Sequence, residues 1–257
     1  MQFVFDLDGT LSFDNTTIDK EIKQALLTAP KYGHQVAFAT ARSYRDCLGL
    51  LGEELKNHLV IGLNGGLVYE DGQCRLEKHL EQQAYTVLLS WCLTYNLPFI
   101  VDNCFDYSGQ IFEKIPFFSG IDPLNQAQRL DLTNLKSPIK LVIYMGDHED
   151  LLDDTIHHLE KLQSLYLSYH AHERCLYVNP ADTHKATTIV EICGHDFIAF
   201  GNDQNDIEML QASLYAVQIG NFPGLKAYRD EQVPYQENQS AAVAAKIVQV
   251  FSDFRGR

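Results

Sequence analysis

The chain begins with a short apolar run, Phe3, Val4 and Phe5, that stops at Asp6. Runs of the same character return at residues 35–40, 59–63, 196–201 and 215–220. Uninterrupted β-prone runs of this length read as strands buried on both faces, the pattern of a parallel sheet, although periodicity alone also allows a buried helical segment. Between the first two runs, Ile22, Ala25 and Leu26 recur at helical spacing. The spacing predicts a helix that Thr16 or Thr17 caps near Asp19, that Pro30 disturbs and that Gly33 ends. Strand, helix and strand in that order form a βαβ unit with parallel strands. Residues 66–69 and 74–76 flank Asp71-Gly72, a strong hairpin signal. A closing amphipathic helix is expected over 241–251, after a final core strand at 215–220.

Near Leu80 the rhythm changes. Residues 81–95 are helical in pattern, 97–102 and 107–112 read as strands, and 139–145 is a clear strand. Residues 150–163 have helical character, and 165–169 and 175–178 read as further strands. This is an α+β block of about 100 residues, large enough for its own core. The predicted organisation is one α/β unit over 1–80 and 182–257, with an α+β unit inserted at 81–181. Its hinges fall near 80–82 and 178–181.

Composition narrows the partners. Of 257 residues, 46% are hydrophobic and 21% charged, which is globular. The net charge of −14 argues against a nucleic-acid or anionic-membrane surface but leaves room for a local pocket that takes a small anion. No apolar run approaches the roughly 18 residues of a membrane span, and no basic leader opens the chain. The six cysteines, at 47, 74, 92, 104, 175 and 193, contain no C-x-x-C pair. The expectation is reduced thiols in a cytoplasmic protein, mostly packed as small hydrophobes. His170 and His172 can share a strand face, but without a larger constellation they read as surface or hydrogen-bonded histidines rather than metal ligands.

The candidate chemistry sits where the runs end. Asp6 and Asp8 are two apart, so in extended backbone they face one spot beyond the first strand. Gly9 permits the turn and Thr10 can hold it. Two close carboxylates require either a proton or a cation between them, and Mg2+ suits carboxylates together with a phosphate. The plainer alternative is an Asx-type turn. Thr40 ends the second strand, where its hydroxyl and nearby N–H groups can receive a phosphate oxygen or simply cap a helix. Arg42 can offer a fork to a phosphate or carboxylate, or form a surface ion pair. Lys185 opens a helix after 179–184, where a solvated lysine is the ordinary reading. Residues 201–206, Gly-Asn-Asp-Gln-Asn-Asp, crowd amides and carboxylates behind a buried strand.

Phe5-Asp6-Leu7-Asp8-Gly9-Thr10 resembles the first motif of the haloacid dehalogenase-like phosphohydrolases. Thr40, Lys185 and residues 201–206 fall where that family carries its other three. The resemblance is to the Cof-type branch with a large α/β cap, and it covers nearly the whole chain. It implies a Rossmann-like parallel-sheet core with an inserted α+β cap, and a phosphatase for a small phosphorylated metabolite, such as a sugar phosphate or phosphorylated cofactor. In the family Asp6 would be the nucleophile of an aspartyl-phosphate intermediate and Asp8 the general acid/base. Thr40, Lys185 and Asn205 would hold the phosphate, and Arg42 would contact substrate. Mg2+ would be held among Asp6, Asp8 (through its carbonyl), Asn202, Asp203 and Asp206. Two positions depart from the family pattern. Ala41 replaces a glycine, and Asn202 replaces the first acidic residue of the fourth motif. A phospho-acceptor or phosphometabolite sensor without turnover, or a phosphomutase of related fold, remains as the alternative.

Overall fold

The structure, a computed structural model, describes residues 1–256. The first elements are β1 (Gln2–Phe5), α1 (Lys20–Leu26), β2 (Gln35–Ala39), α2 (Tyr44–Leu55), β3 (Leu59–Gly62), β4 (Leu67–Glu70) and β5 (Gln73–Glu77). Then come α3 (Gln82–Thr94), β6 (Phe99–Asp102), β7 (Tyr107–Gln110), β8 (Lys140–Tyr144), α4 (Leu152–Glu160), β9 (Leu165–His170) and β10 (Cys175–Pro180). The chain closes with α5 (Lys185–Cys193), β11 (Phe197–Gly201), α6 (Ile207–Ala212), β12 (Tyr215–Ile219), β13 (Glu231–Val233) and α7 (Gln239–Asp253).

Eight strands form one sheet in the order β13-β12-β11-β1-β2-β3-β4-β5. The pairs from β13 to β3 are parallel, and the β4–β5 hairpin adds two antiparallel strands at one edge. The apolar runs sort across this sheet with period two. Phe3 and Phe5 join one layer with Ile22, Leu26, Ile247 and Phe251, while Val4 joins the opposite layer with Ile189, Met209 and Leu210. Both faces are therefore covered by helices, which is why these runs do not alternate. The other five strands form an antiparallel sheet in the order β7-β6-β8-β10-β9. Its Leu141, Ile143, Leu176 and Val178 face a core with Leu88 and Leu159, and Val142 and Tyr177 face the other way, where Ala41 packs against them. The mixed α/β architecture is the one the resemblance implies. Among the described residues no helix is long and apolar enough to cross a membrane.

Local readings differ at three places. Thr16 and Thr17 do not cap α1. Both backbone N–H groups donate to Asp14 Oδ1 (2.8 and 2.7 Å), which folds them into an Asx turn ahead of it. The helix α2 has no separate signal in the sequence, because its apolar positions follow directly on the Thr40 turn. The strand at 215–219 is not the last in the sheet. Glu231, Gln232 and Val233 pair in parallel beside it, and only Val233 of the three is buried.

Candidate active site

The sheet grows in opposite directions from β1, since β2 and β3 lie on one side and β11 to β13 on the other. Such a switch point leaves a crevice at the carboxyl ends of the strands, where open α/β sheets bind ligands. Asp6, Thr40 and Asn202 are the residues that follow β1, β2 and β11. The N–H of Asp6 donates to the Phe200 carbonyl (2.9 Å), which anchors the first carboxylate to the neighbouring strand. Gly9 turns the chain with φ +77°, and any side chain at Gly9 would run into Asn202. The first and fourth motifs therefore touch because residue 9 has no Cβ.

Lys185 reaches this crevice from the first turn of α5. Its Nζ lies 2.6 Å from Asp6 Oδ1 and 2.7 Å from Asp206 Oδ1. All three side chains are buried, so the ammonium offsets two charges removed from water. The ordinary reading of Lys185 as a solvated side chain does not hold. Burial and the Asp206 carboxylate push the Asp6 carboxyl up to about 7, against the pull of Lys185. A cation beside Asp6 opposes that rise. Asp206 is fully engaged, because its Oδ2 accepts the N–H groups of Asn202 (2.9 Å) and Asp203 (3.3 Å). It holds Lys185 and folds the 201–206 turn at the same time.

Asp8 is held from the other side. Arg42 Nε donates to its Oδ2 (2.8 Å) and Arg42 Nη2 to its Oδ1 (2.6 Å), a bidentate fork. Nη2 also donates to the Asn15 carbonyl (2.7 Å). Arg42 is neither a loose surface pair nor a free anion fork. Thr40 is buried and does not cap a helix. Its hydroxyl accepts the Arg42 N–H (3.1 Å), which shapes the turn, and Ser43 takes the N-cap of α2 through the Asp46 N–H (3.3 Å).

The Asn202 amide supplies the test of a metal. One of its terminal atoms lies 2.9 Å from the Asp8 carbonyl oxygen and 3.1 Å from Asp6 Oδ2 and Thr10 Oγ1. If that atom is nitrogen, it donates to Asp6 and Asp8. If it is oxygen, it forms an oxygen triangle with the Asp8 carbonyl and Asp6 Oδ2 whose two edges at Asn202 are 2.9 and 3.1 Å, with no proton on either edge. Octahedral Mg2+ sets neighbouring ligand oxygens about 2.8–3.0 Å apart, √2 times its bond length of about 2.0–2.1 Å. One carboxylate, one backbone carbonyl and one amide at this spacing fit such an ion. Of the candidate ligands, Asp6, the Asp8 carbonyl and Asn202 come together. Asp206 is bonded to Lys185 and to backbone, and the exposed Asp203 accepts from the Gln204 N–H (2.7 Å). Asn205 lies half-buried on the same turn.

A cavity of about 550 Å³ opens over Asp8 and Arg42, and Lys140 and Tyr177 of the second sheet, with Phe117 and Glu173 from its connecting loops, line its wall. Two residues here escape the sequence reading. Lys140 is 4% exposed, and its Nζ donates to the Ala41 carbonyl (2.6 Å) beneath the Tyr177 ring. Burial pushes this ammonium below its usual range. Arg45, on α2, is buried against Asp102 (2.5 Å) and donates to the carbonyls of Phe105 and Asp106. The signal for Lys140 is a lysine inside the apolar run 139–145. Arg45 has none, since Asp102 and the carbonyls it meets lie far along the chain.

The sequence pattern of haloacid dehalogenase-like hydrolases matches residues 3–247. The chain belongs to this hydrolase family. Solved structures agree at the level of the fold. One is a HAD/COF-like hydrolase from Plasmodium vivax, 20% identical, with a TM-score of 0.81 over 98% of this chain and 95% of that one. A superfamily member from Bacteroides thetaiotaomicron, described among phosphatases, is 20% identical with a TM-score of 0.74, covering 98% and 94%. A sugar phosphatase of subclass IIB is 20% identical with a TM-score of 0.76, covering 98% of each chain. The two-sheet architecture is thus that of the capped, Cof-type members of the family.

Proposed function

We propose that this hydrolase is a Mg2+-dependent phosphomonoesterase that acts on a small phosphorylated metabolite through an aspartyl-phosphate at Asp6. The observation that carries the reading is the division of labour at Asp6. Lys185 takes Oδ1, and Oδ2 lies 3.1 Å from the Asn202 amide that also meets the Asp8 carbonyl. Mg2+, when bound by Asp6, the Asp8 carbonyl and Asn202, would clamp charge between the nucleophile and the phosphate.

The chain's own groups do the rest. Asp6 attacks phosphorus in line while Lys185 offsets the charge of two approaching anions. Thr40 and Asn205 border the phosphoryl oxygens. Asp8, protonated, donates to the leaving oxygen, and as carboxylate it then takes a proton from the water that hydrolyses the acyl phosphate. The Arg42 fork holds the Asp8 carboxyl at the mouth of the crevice, facing the cavity. The same reading makes 1–80 and 182–257 the catalytic core and 81–181 a cap that selects the substrate. The sugar phosphatase of the same fold supports a small polar substrate. All six cysteines are free, which supports a reducing compartment such as the cytoplasm.

Phosphate release from a broad panel of phosphorylated metabolites, with Mg2+ and with chelator, tests this reading. Mg2+-dependent release from at least one small phosphate ester is expected. Tight substrate binding without release would instead make the protein a sensor.

A further inference from the structure

Three metal-binding side chains meet at the seam between the two sheets, away from the oxygen triangle. Cys74 and Glu77 belong to the edge strand β5, and Cys104 belongs to the turn between β6 and β7. Both Sγ atoms and one Glu77 carboxylate oxygen lie within 4.8 Å of one another. We propose that Cys74, Cys104 and Glu77 form a site for a thiophilic divalent cation of the zinc class, which ties the edge of the large sheet to the inserted one.

The cluster depends on an irregularity in β5. Residues three apart on a regular strand point to opposite faces. Here Val68 pairs with Leu76 and Tyr69 pairs with Cys74, so β5 spends one extra residue, Arg75, between the two pairs. A bulge of this kind reverses the alternation and re-aims a side chain. It turns Cys74 and Glu77 to the same side, with Cys74 Sγ 3.5 Å from Glu77 Oε1. A tetrahedral zinc ion places a thiolate and a carboxylate oxygen about 3.5 Å apart, from bonds of about 2.3 and 2.0–2.2 Å. Around the three donors the supports are fixed. Tyr69 Oη lies 3.1 Å from Cys104 Sγ, and its ring stacks on Tyr44 at 4.0 Å. The second Glu77 oxygen faces His79 Nε2 at 3.5 Å, and His79 Nδ1 lies 3.0 Å from the Ser137 carbonyl. Outer contacts of this sort orient ligands. Two sulfurs with one carboxylate select a zinc-class ion over Mg2+, which prefers an all-oxygen shell. On binding, each thiol releases its proton to solvent as its sulfur bonds the ion, and a water completes the tetrahedron. Cys47, Cys92 and Cys175 are buried and pack as small hydrophobes; Cys74 is exposed and Cys104 half-exposed, open to an incoming ion.

The test uses the full chain, reduced and stripped of metal, titrated with Co2+ as a spectroscopic probe. One equivalent is expected to produce the near-ultraviolet thiolate-to-cobalt absorption, and Zn2+ should abolish it by displacement. Cys74→Ser and Cys104→Ser should lose the band, Glu77→Gln should weaken binding about tenfold or more, and Cys193→Ser should keep it. Serine at the exposed residue 74 leaves the core untouched, so loss of the band there is not a folding defect. No thiolate band in the wild-type chain, or a band that survives Cys74→Ser, overturns the proposal. A Cys74–Cys104 disulfide in the protein as purified, with no band after reduction, overturns it as well and makes the pair a redox bridge. None of these readouts involves turnover, so the site stands or falls apart from the phosphatase reading.

Discussion

At Asp206 a single carboxylate serves both the fold and the chemistry. It is fully buried, accepts Lys185 Nζ through one oxygen and receives two backbone N–H groups through the other. Asp206→Asn turns one acceptor into a donor that faces N–H groups, and it leaves Lys185 with half its compensation. A loss of about 2–4 kcal/mol in urea unfolding is expected. Asn202 works in the opposite sense. A carboxylate in place of its amide adds a charge to the oxygen triangle, and the net gain after desolvation is on the order of 1 kcal/mol, about fivefold in affinity. Asn202→Asp should therefore lower the Mg2+ concentration for half-maximal activity, as a Mg2+ titration would show. An unchanged titration would remove Asn202 from the ligand set. Asp8→Asn should cripple turnover most for basic leaving groups. Comparing an alkyl with an aryl phosphate checks this, and equal losses would count against Asp8 as the acid. The positions of Asp6, Asp8, Thr40 and Lys185 were legible in the sequence because each stands at the end of an apolar run or the start of a helix. The amide contacts of Asn202 were not, because they depend on how closely Gly9 lets two distant turns approach.

Among the elements, α2 links the active-site turn to the second sheet. Its Arg45 is 1% exposed, pairs with Asp102 at 2.5 Å and Asp46 at 3.2 Å, and lies over the Tyr107 ring. Asp46 in turn accepts the Asp122 N–H (2.8 Å) from the inserted segment. Arg45→Ala would leave two carboxylates buried without their cation, at a cost of about 3–5 kcal/mol. Chemical denaturation measures that loss. Combining Arg45→Met with Asp102→Leu should recover part of it, since one of the two stranded charges is then gone too. The strands of the parallel sheet were readable because burial on both faces leaves long apolar runs. β13 was not, because its three residues, Glu-Gln-Val, carry one apolar side chain and gain their place only by pairing with β12.

For the whole molecule, the arrangement sets a strongly acidic chain around a pocket that carries Arg42 and Lys140. The second sheet and its connecting loops supply Phe117, Lys140, Glu173 and Tyr177 to the pocket wall, while the turns at the end of the first supply Asp8 and Arg42. A folded chain lacking residues 82–178 should keep Mg2+ binding and lose discrimination among phosphate esters, because closure excludes water and positions the leaving group. Retention of the full-length substrate profile by that core would deny the inserted sheet a role in choice. The strands of the second sheet could be read from the change of rhythm near Leu80. The side chains it lends to the pocket could not, since they come into place only by the approach of two sheets.

In the proposed reaction Asp6 is the group that carries the phosphoryl. Rapid acid quench during turnover, followed by mass spectrometric mapping of the phosphorylated peptide, measures this directly. A phosphoryl group on Asp6 alone is expected, with neither phosphopeptide nor phosphate release in a folded Asp6→Asn protein. Sustained phosphate release by Asp6→Asn, or a phosphoryl group mapped to another residue, would contradict it.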